Sequence, residues 1–114
     1  MTNTMTRRSV MVGAVATAAV PFARFAHADA TMIHRIEIRS FEFHPSKIQV
    51  RVGDTIRWAN KDIAPHTATA DEFGWDTGAL ERGDTGEVLV TDGMQTTYFC
   101  AFHPHMKGRI EILK

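Results

Sequence analysis

Lys47-Ile48-Gln49-Val50-Arg51-Val52-Gly53-Asp54-Thr55-Ile56-Arg57-Trp58 alternates polar and apolar side chains for six residues, breaks at a glycine, and resumes with β-branched and aromatic residues. A period of two lines up Ile48, Val50 and Val52 on one face of an extended chain, a pattern no helix satisfies. Gly53-Asp54 is turn chemistry, so 47–52 and 55–58 read as two adjacent strands facing one core. Upstream, Ile36 and Ile38 alternate with charged residues, and Phe41 and Phe43 repeat the period after a change of phase near Ser40. That segment reads as one half-buried strand with a bulge or bend, ended by Pro45. Downstream, 60–65 is polar and irregular, and 66–70 reads as a short strand. The stretch 71–86 holds four glycines and reads as loop, while Val88/Val90, Thr96/Tyr98/Cys100 and 109–113 read as further strands. No segment keeps a helical period over ten residues and no repeat appears. The expectation is an antiparallel β-sandwich of about seven or eight strands.

Of the 13 basic side chains, Arg7, Arg8 and Arg24 are the only charges in the first 28 residues, leaving ten against 13 acidic groups and a net of about −3. No basic stripe remains to neutralise phosphates, which argues against a nucleic-acid partner. Arg7-Arg8-Ser9 precedes an uncharged Ala/Val-rich run from Val10 to Phe22 that is too short for a permanent bilayer span. Paired arginines ahead of a mildly apolar run, with Arg24 late in the segment, predict a twin-arginine export signal over 1–28. Ala26-His27-Ala28 predicts cleavage after Ala28, with Ala30 as the other small-residue site. The mature domain is then 29–114, exported to the bacterial periplasm, without stable membrane insertion, and a monomer.

Export makes the single cysteine informative, because an unpaired thiol in an oxidising compartment calls for metal ligation, catalysis or burial. Cys100-Ala101-Phe102-His103-Pro104-His105-Met106 places a thiol, imidazoles and a thioether within seven residues directly after a strand. A further imidazole stands at Pro65-His66. Soft sulfur with imidazole selects copper or zinc over calcium or magnesium. Two His and one Cys in a trigonal array with a weak axial Met form the donor set of an electron-transfer copper site.

In these residues the chain resembles the cupredoxins, the small blue copper proteins, and within them the amicyanin-like group with its short Cys-x2-His-x2-Met loop. The plastocyanin and pseudoazurin groups, which have two more residues between His and Met, are more distant. Phe43-x-Pro45, the run from Ile48 to Asp62, Pro65-His66, Tyr98-x-Cys100 and Met106-x-Gly108-x-Ile110 carry the resemblance across most of the mature chain. It implies a Greek-key β-sandwich holding one copper ion, Cu(I)/Cu(II), through His66, Cys100, His103 and Met106. It also implies a non-enzymatic electron carrier working by outer-sphere transfer between a periplasmic dehydrogenase or reductase and a c-type cytochrome. Two positions depart from the amicyanin pattern. Thr67 stands where an Asn ties the two ligand loops together, and a hydroxyl is expected to span less far. His105 stands where an apolar residue is usual.

Two other classes compete. A copper storage or delivery protein would favour exposed, exchangeable donors, and an enzyme with Cys100 as nucleophile would need an oxyanion hole and an orienting group that the sequence does not offer. Asp76-Thr77-Gly78 and Asp84-Thr85-Gly86 match the triplet of aspartic proteases but lie too close together to come from paired lobes, and they read as turns. His34 and His44 are expected at the surface, His105 in a solvated loop, and Trp58 and Trp75 in packing. Electron exit is expected through His103, framed by Phe102, Pro104 and Pro65.

Overall fold

A computed structural model describes residues 30–114. The export segment 1–28 and its cleavage sites lie outside the described residues, apart from Ala30 at their edge. Eight strands form: β1 Ile33–Arg39, β2 Glu42–His44, β3 Lys47–Arg51, β4 Thr55–Asn60, β5 Thr69–Ala70, β6 Thr85–Leu89, β7 Thr97–Phe99 and β8 Lys107–Leu113. They make two four-stranded sheets, in the orders β2-β1-β4-β6 and β3-β8-β7-β5. Between them lie Ile36, Ile38, Phe43, Ile56 and Trp58 from the first sheet, and Val50, Tyr98 and Ile110 from the second. The two-sheet sandwich of about eight strands is the expected one, but it is not wholly antiparallel. Its sheets are mixed, since β1 runs parallel to β4 and β3 parallel to β8, while the remaining pairs are antiparallel.

Two strand assignments change. The 47–52 and 55–58 runs do face one core, but from opposite sheets, so they are not hydrogen-bonded neighbours. Val52 turns out to solvent and Gly53, at φ 97°, swings the chain across. Asp54 locks that crossing, since its buried carboxylate accepts from the amides of Met32 (3.0 Å) and Arg51 (3.0 Å) and from His34 Nε2 (2.8 Å). His34 is therefore a half-buried tie rather than a surface residue. His44 is also half-buried, 3.3 Å from Glu42.

The second change is at Ser40, where the expectation is a bulge or bend within one strand. Ser40 and Phe41 both have positive φ, 53° and 58°, and form the two-residue turn of a β1–β2 hairpin in which Arg39 faces Glu42. This geometry is normally left to Asn-Gly, because each L-residue there costs about 1–2 kcal/mol. Asp62 compensates by accepting from both turn amides, Ser40 N at 2.8 Å and Phe41 N at 3.0 Å. Among the described residues, no helix is long and apolar enough to cross a membrane.

Candidate metal centre

One end of the sandwich gathers the donors. Cys100 follows β7, and its loop makes two consecutive four-residue turns, with His103 N donating to Cys100 O (3.1 Å) and Met106 N to His103 O (2.8 Å), and is closed across its base by Cys100 N donating to Met106 O (3.1 Å). The backbone thereby turns back at every third residue, which returns His103 toward Cys100. His66 comes from the β4–β5 segment. Asn60, wholly buried at the end of β4, shapes that segment by donating to Ala64 O (2.9 Å) and Leu80 O (2.8 Å) and accepting from Asp62 N (2.8 Å). A backbone bridge between His66 and Leu80 then holds the histidine in place.

Cys100 Sγ lies 3.7 Å from His66 Nδ1 and 3.7 Å from His103 Nδ1, and the three donor atoms fall within 4.8 Å of one another. An ion bonded to nitrogen and sulfur at roughly 2.0–2.3 Å in a trigonal plane spaces such donors about 3.8 Å apart. The two sulfur–nitrogen separations match that spacing, so the three residues are placed to share one metal ion. Cys100 and His66 are 0% exposed, Met106 is buried beside them, and His103 is half-buried.

The groups around the donors were less visible in the sequence. His66 uses Nδ1 toward the thiol and sets Nε2 2.9 Å from Asp62 Oδ2, so the Asp62 carboxylate orients the ring while it holds the Ser40-Phe41 turn. Burial alone would raise the Asp62 pKa, but hydrogen bonds from the Phe41 and Ser40 amides and from His66 outweigh it and lower the value. A metal-binding histidine needs a partner on its second nitrogen, and Asp62 is the only carboxylate in 60–65. That requirement was the available signal. Phe41 had no such signal. Its ring meets His66 (centroids 5.1 Å) and His103 (4.9 Å) edge to face, and is itself 43% exposed.

Thr67 spans further than expected. Its amide points at Cys100 Sγ (3.4 Å) and its hydroxyl accepts from Ala101 N (2.8 Å), so it does tie the two donor loops. His105 is exposed, as are Phe102 and Pro104, while Pro65 is half-buried. Trp58 is buried and stacks on Trp75 at 5.6 Å. Of the Asp-Thr-Gly triplets, Thr85-Gly86 opens β6, and Asp76 accepts from Gly78 N (2.9 Å) within a turn.

Residues 30–113 match the family described as copper binding proteins, plastocyanin/azurin family. Amicyanin of Paracoccus denitrificans is 24% identical over 97 residues, covering 81% of this chain and 72% of that protein. Chloroplastic plastocyanin of Chlamydomonas reinhardtii is 28% identical over 108 residues, covering 85% and 74%. Among solved structures, the copper-containing nitrite reductase of Thermus scotoductus SA-01 superposes with TM-score 0.65 at 22% identity over 71% of this chain, which spans only 22% of that protein. A Cu(I) form of an amicyanin variant superposes with TM-score 0.64 at 24% identity, over 77% of this chain and 89% of that one. At these identities the superpositions establish the shared fold.

Proposed function

The chain belongs to the plastocyanin/azurin family of copper-binding proteins, and from that premise we propose that it is a one-copper electron carrier of the bacterial periplasm, with His66, Cys100, His103 and Met106 as ligands. The observation that carries this reading is the pair of 3.7 Å separations between the wholly buried Cys100 thiol and two imidazole nitrogens, one on wholly buried His66 and one on half-buried His103. When bound, the metal supplies a one-electron couple. The protein's own part is to keep the donors where both oxidation states accept them. Asp62 fixes the His66 ring, Thr67 fixes the Cys100 loop, and the turns at His103 and Met106 close it. A prepaid geometry lowers the rearrangement that accompanies each electron.

His66 is sealed off, so electrons enter and leave by the half-buried His103. Phe102 (51% exposed), Pro104 and Phe41 surround it as an apolar contact face. Transfer is outer-sphere, from a periplasmic dehydrogenase or reductase to a c-type cytochrome, with the carrier a monomer in solution. Residues 1–28 act as the twin-arginine signal that is removed on export. The reading is non-enzymatic, and it is supported by the 0% exposure of Cys100, which closes the thiol to a substrate carbon. The same burial disfavours storage or delivery, which need exchangeable donors. The test is copper titration of residues 29–114, followed by absorption spectroscopy and potentiometry. One equivalent should give an intense thiolate-to-Cu(II) band and a reversible one-electron couple. A colourless complex would refute the reading.

A further inference from the structure

The hydrogen bonds that begin at Thr67 do not end there. Thr67 Oγ1 lies 2.8 Å from Thr69 Oγ1, and Thr69 Oγ1 lies 2.9 Å from Asp76 Oδ1. Both threonines are buried, at 4% and 2% exposure, whereas Asp76 is exposed on the loop before β6. The protons in this chain can be assigned by counting. Ala101 N–H can only donate, so Thr67 Oγ1 accepts from it. An ionised carboxylate can only accept, so the single Thr69 proton goes to Asp76. The bond between the hydroxyls must then run from Thr67 to Thr69. All three links point the same way, from the Cys100 loop outward to the Asp76 charge.

We propose that Asp76 and Thr69 are positioning residues for the metal centre, acting through Thr67 on the peptide that follows Cys100. The inference rests on the copper reading for its consequence but not for its geometry. A negative charge at the far end orients both hydroxyl dipoles, and a hydroxyl that donates strongly is a stronger acceptor in turn. Thr67 Oγ1 therefore grips Ala101 N–H more firmly, and through it the backbone next to the thiolate. The same residue's amide faces Cys100 Sγ at 3.4 Å, so a firm Thr67 also fixes the hydrogen bond to sulfur. The oriented oxygens turn their negative ends toward the site, which favours the more highly charged Cu(II). Here two threonines of one segment and an aspartate of the next loop do the tying work that one longer side chain would do at position 67.

The test is a double-mutant cycle of Thr69→Val and Asp76→Ala. Thr69→Val is nearly isosteric and leaves the Asp76–Gly78 bond in place, while Asp76→Ala alters an exposed loop, so each variant checks the other against misfolding. The Ala101 amide proton, read by NMR in the metal-free protein, should move upfield in each variant. It should move no further in the double variant than in Thr69→Val, because a broken chain cannot be broken twice. Thr67→Val should move it most and Thr67→Ser should hold it at the wild-type position. In copper-loaded protein the reduction potential should rise in both single variants, again without addition. An unmoved Ala101 amide in Thr69→Val, or strictly additive shifts, would overturn the relay. A protein that takes up no copper would sink the functional reading alone, since the amide shift decides the relay without metal.

Discussion

Replacing Asp62 by Ala removes three hydrogen bonds at once: from the Ser40 amide (2.8 Å), the Phe41 amide (3.0 Å) and His66 Nε2 (2.9 Å). Hydrogen bonds to a charged group are worth about 1.5–3 kcal/mol net. The two turn residues are exposed, so water recovers much of the loss at their amides, whereas His66 is wholly buried and recovers nothing. The turn also loses the partner that holds two L-residues at positive φ. A net loss of about 2–3 kcal/mol follows, and at roughly 4–8 °C per kcal/mol for a domain of this size the metal-free protein should melt about 10–20 °C lower. Asp62→Asn should be little better, because it presents an NH2 donor where the carboxylate accepted on both oxygens. In copper-loaded protein the potential should rise, since the His66 ring loses the negative partner that makes it a better ligand. Thermal unfolding of residues 29–114 by circular dichroism, with NMR of the Ser40 and Phe41 amides, reads the first effect. A melting point within about 2 °C of wild type, with both amides unshifted, would refute the assignment of Asp62 as the common anchor of turn and ligand.

Cys100→Ser should abolish the blue absorption while leaving the sandwich folded, because the core is built from strand residues; an unchanged spectrum would exclude Cys100 as a ligand. Met106→Gln should keep a coloured site with a lower potential, since a harder axial oxygen favours Cu(II), and potentiometry checks the sign. Phe102→Glu should slow electron transfer to a c-type cytochrome by roughly tenfold or more with little change in potential, because a half-exposed side chain adjacent to His103 contributes to docking and little to the core. At Asp54, burial raises the carboxyl pKa, but hydrogen bonds from His34 and from the Arg51 and Met32 amides outweigh it and lower the value below 3.8. The depressed pKa stabilises the fold fully above the unfolded-state value, and that stability is lost as pH falls through the folded one. Asp54→Asn should therefore be destabilised at neutral pH and show a shallower loss of stability below about pH 4, as measured by urea unfolding between pH 3 and 7.

The period-two runs at Ile36/Ile38, Ile48/Val50 and Ile56/Trp58 determined a β-sandwich by themselves, because each strand must turn one face to the core whatever it pairs with. The spacing of Cys100 and His103 likewise pointed to convergence, since the loop turns back at every third residue and leaves the thiol 3.7 Å from the His103 imidazole. Partnership was a different matter. Alternation says which face of a strand is buried but not which sheet it joins, so β3 and β4 looked adjacent until Gly53 and Asp54 carried the chain across. The Ser40-Phe41 turn was hidden because neither residue favours positive φ, and the carboxylate that compensates for it lies 21 and 22 residues away. The roles of Asp62 and the Thr67-Thr69-Asp76 chain were decided by tertiary structure for the same reason. A hydrogen bond depends on distance and direction between atoms, and although Asp62–His66 and Thr67–Thr69–Asp76 are near neighbours in sequence, their far ends at the Ser40-Phe41 turn and at Ala101 come within reach only when the sheets have closed.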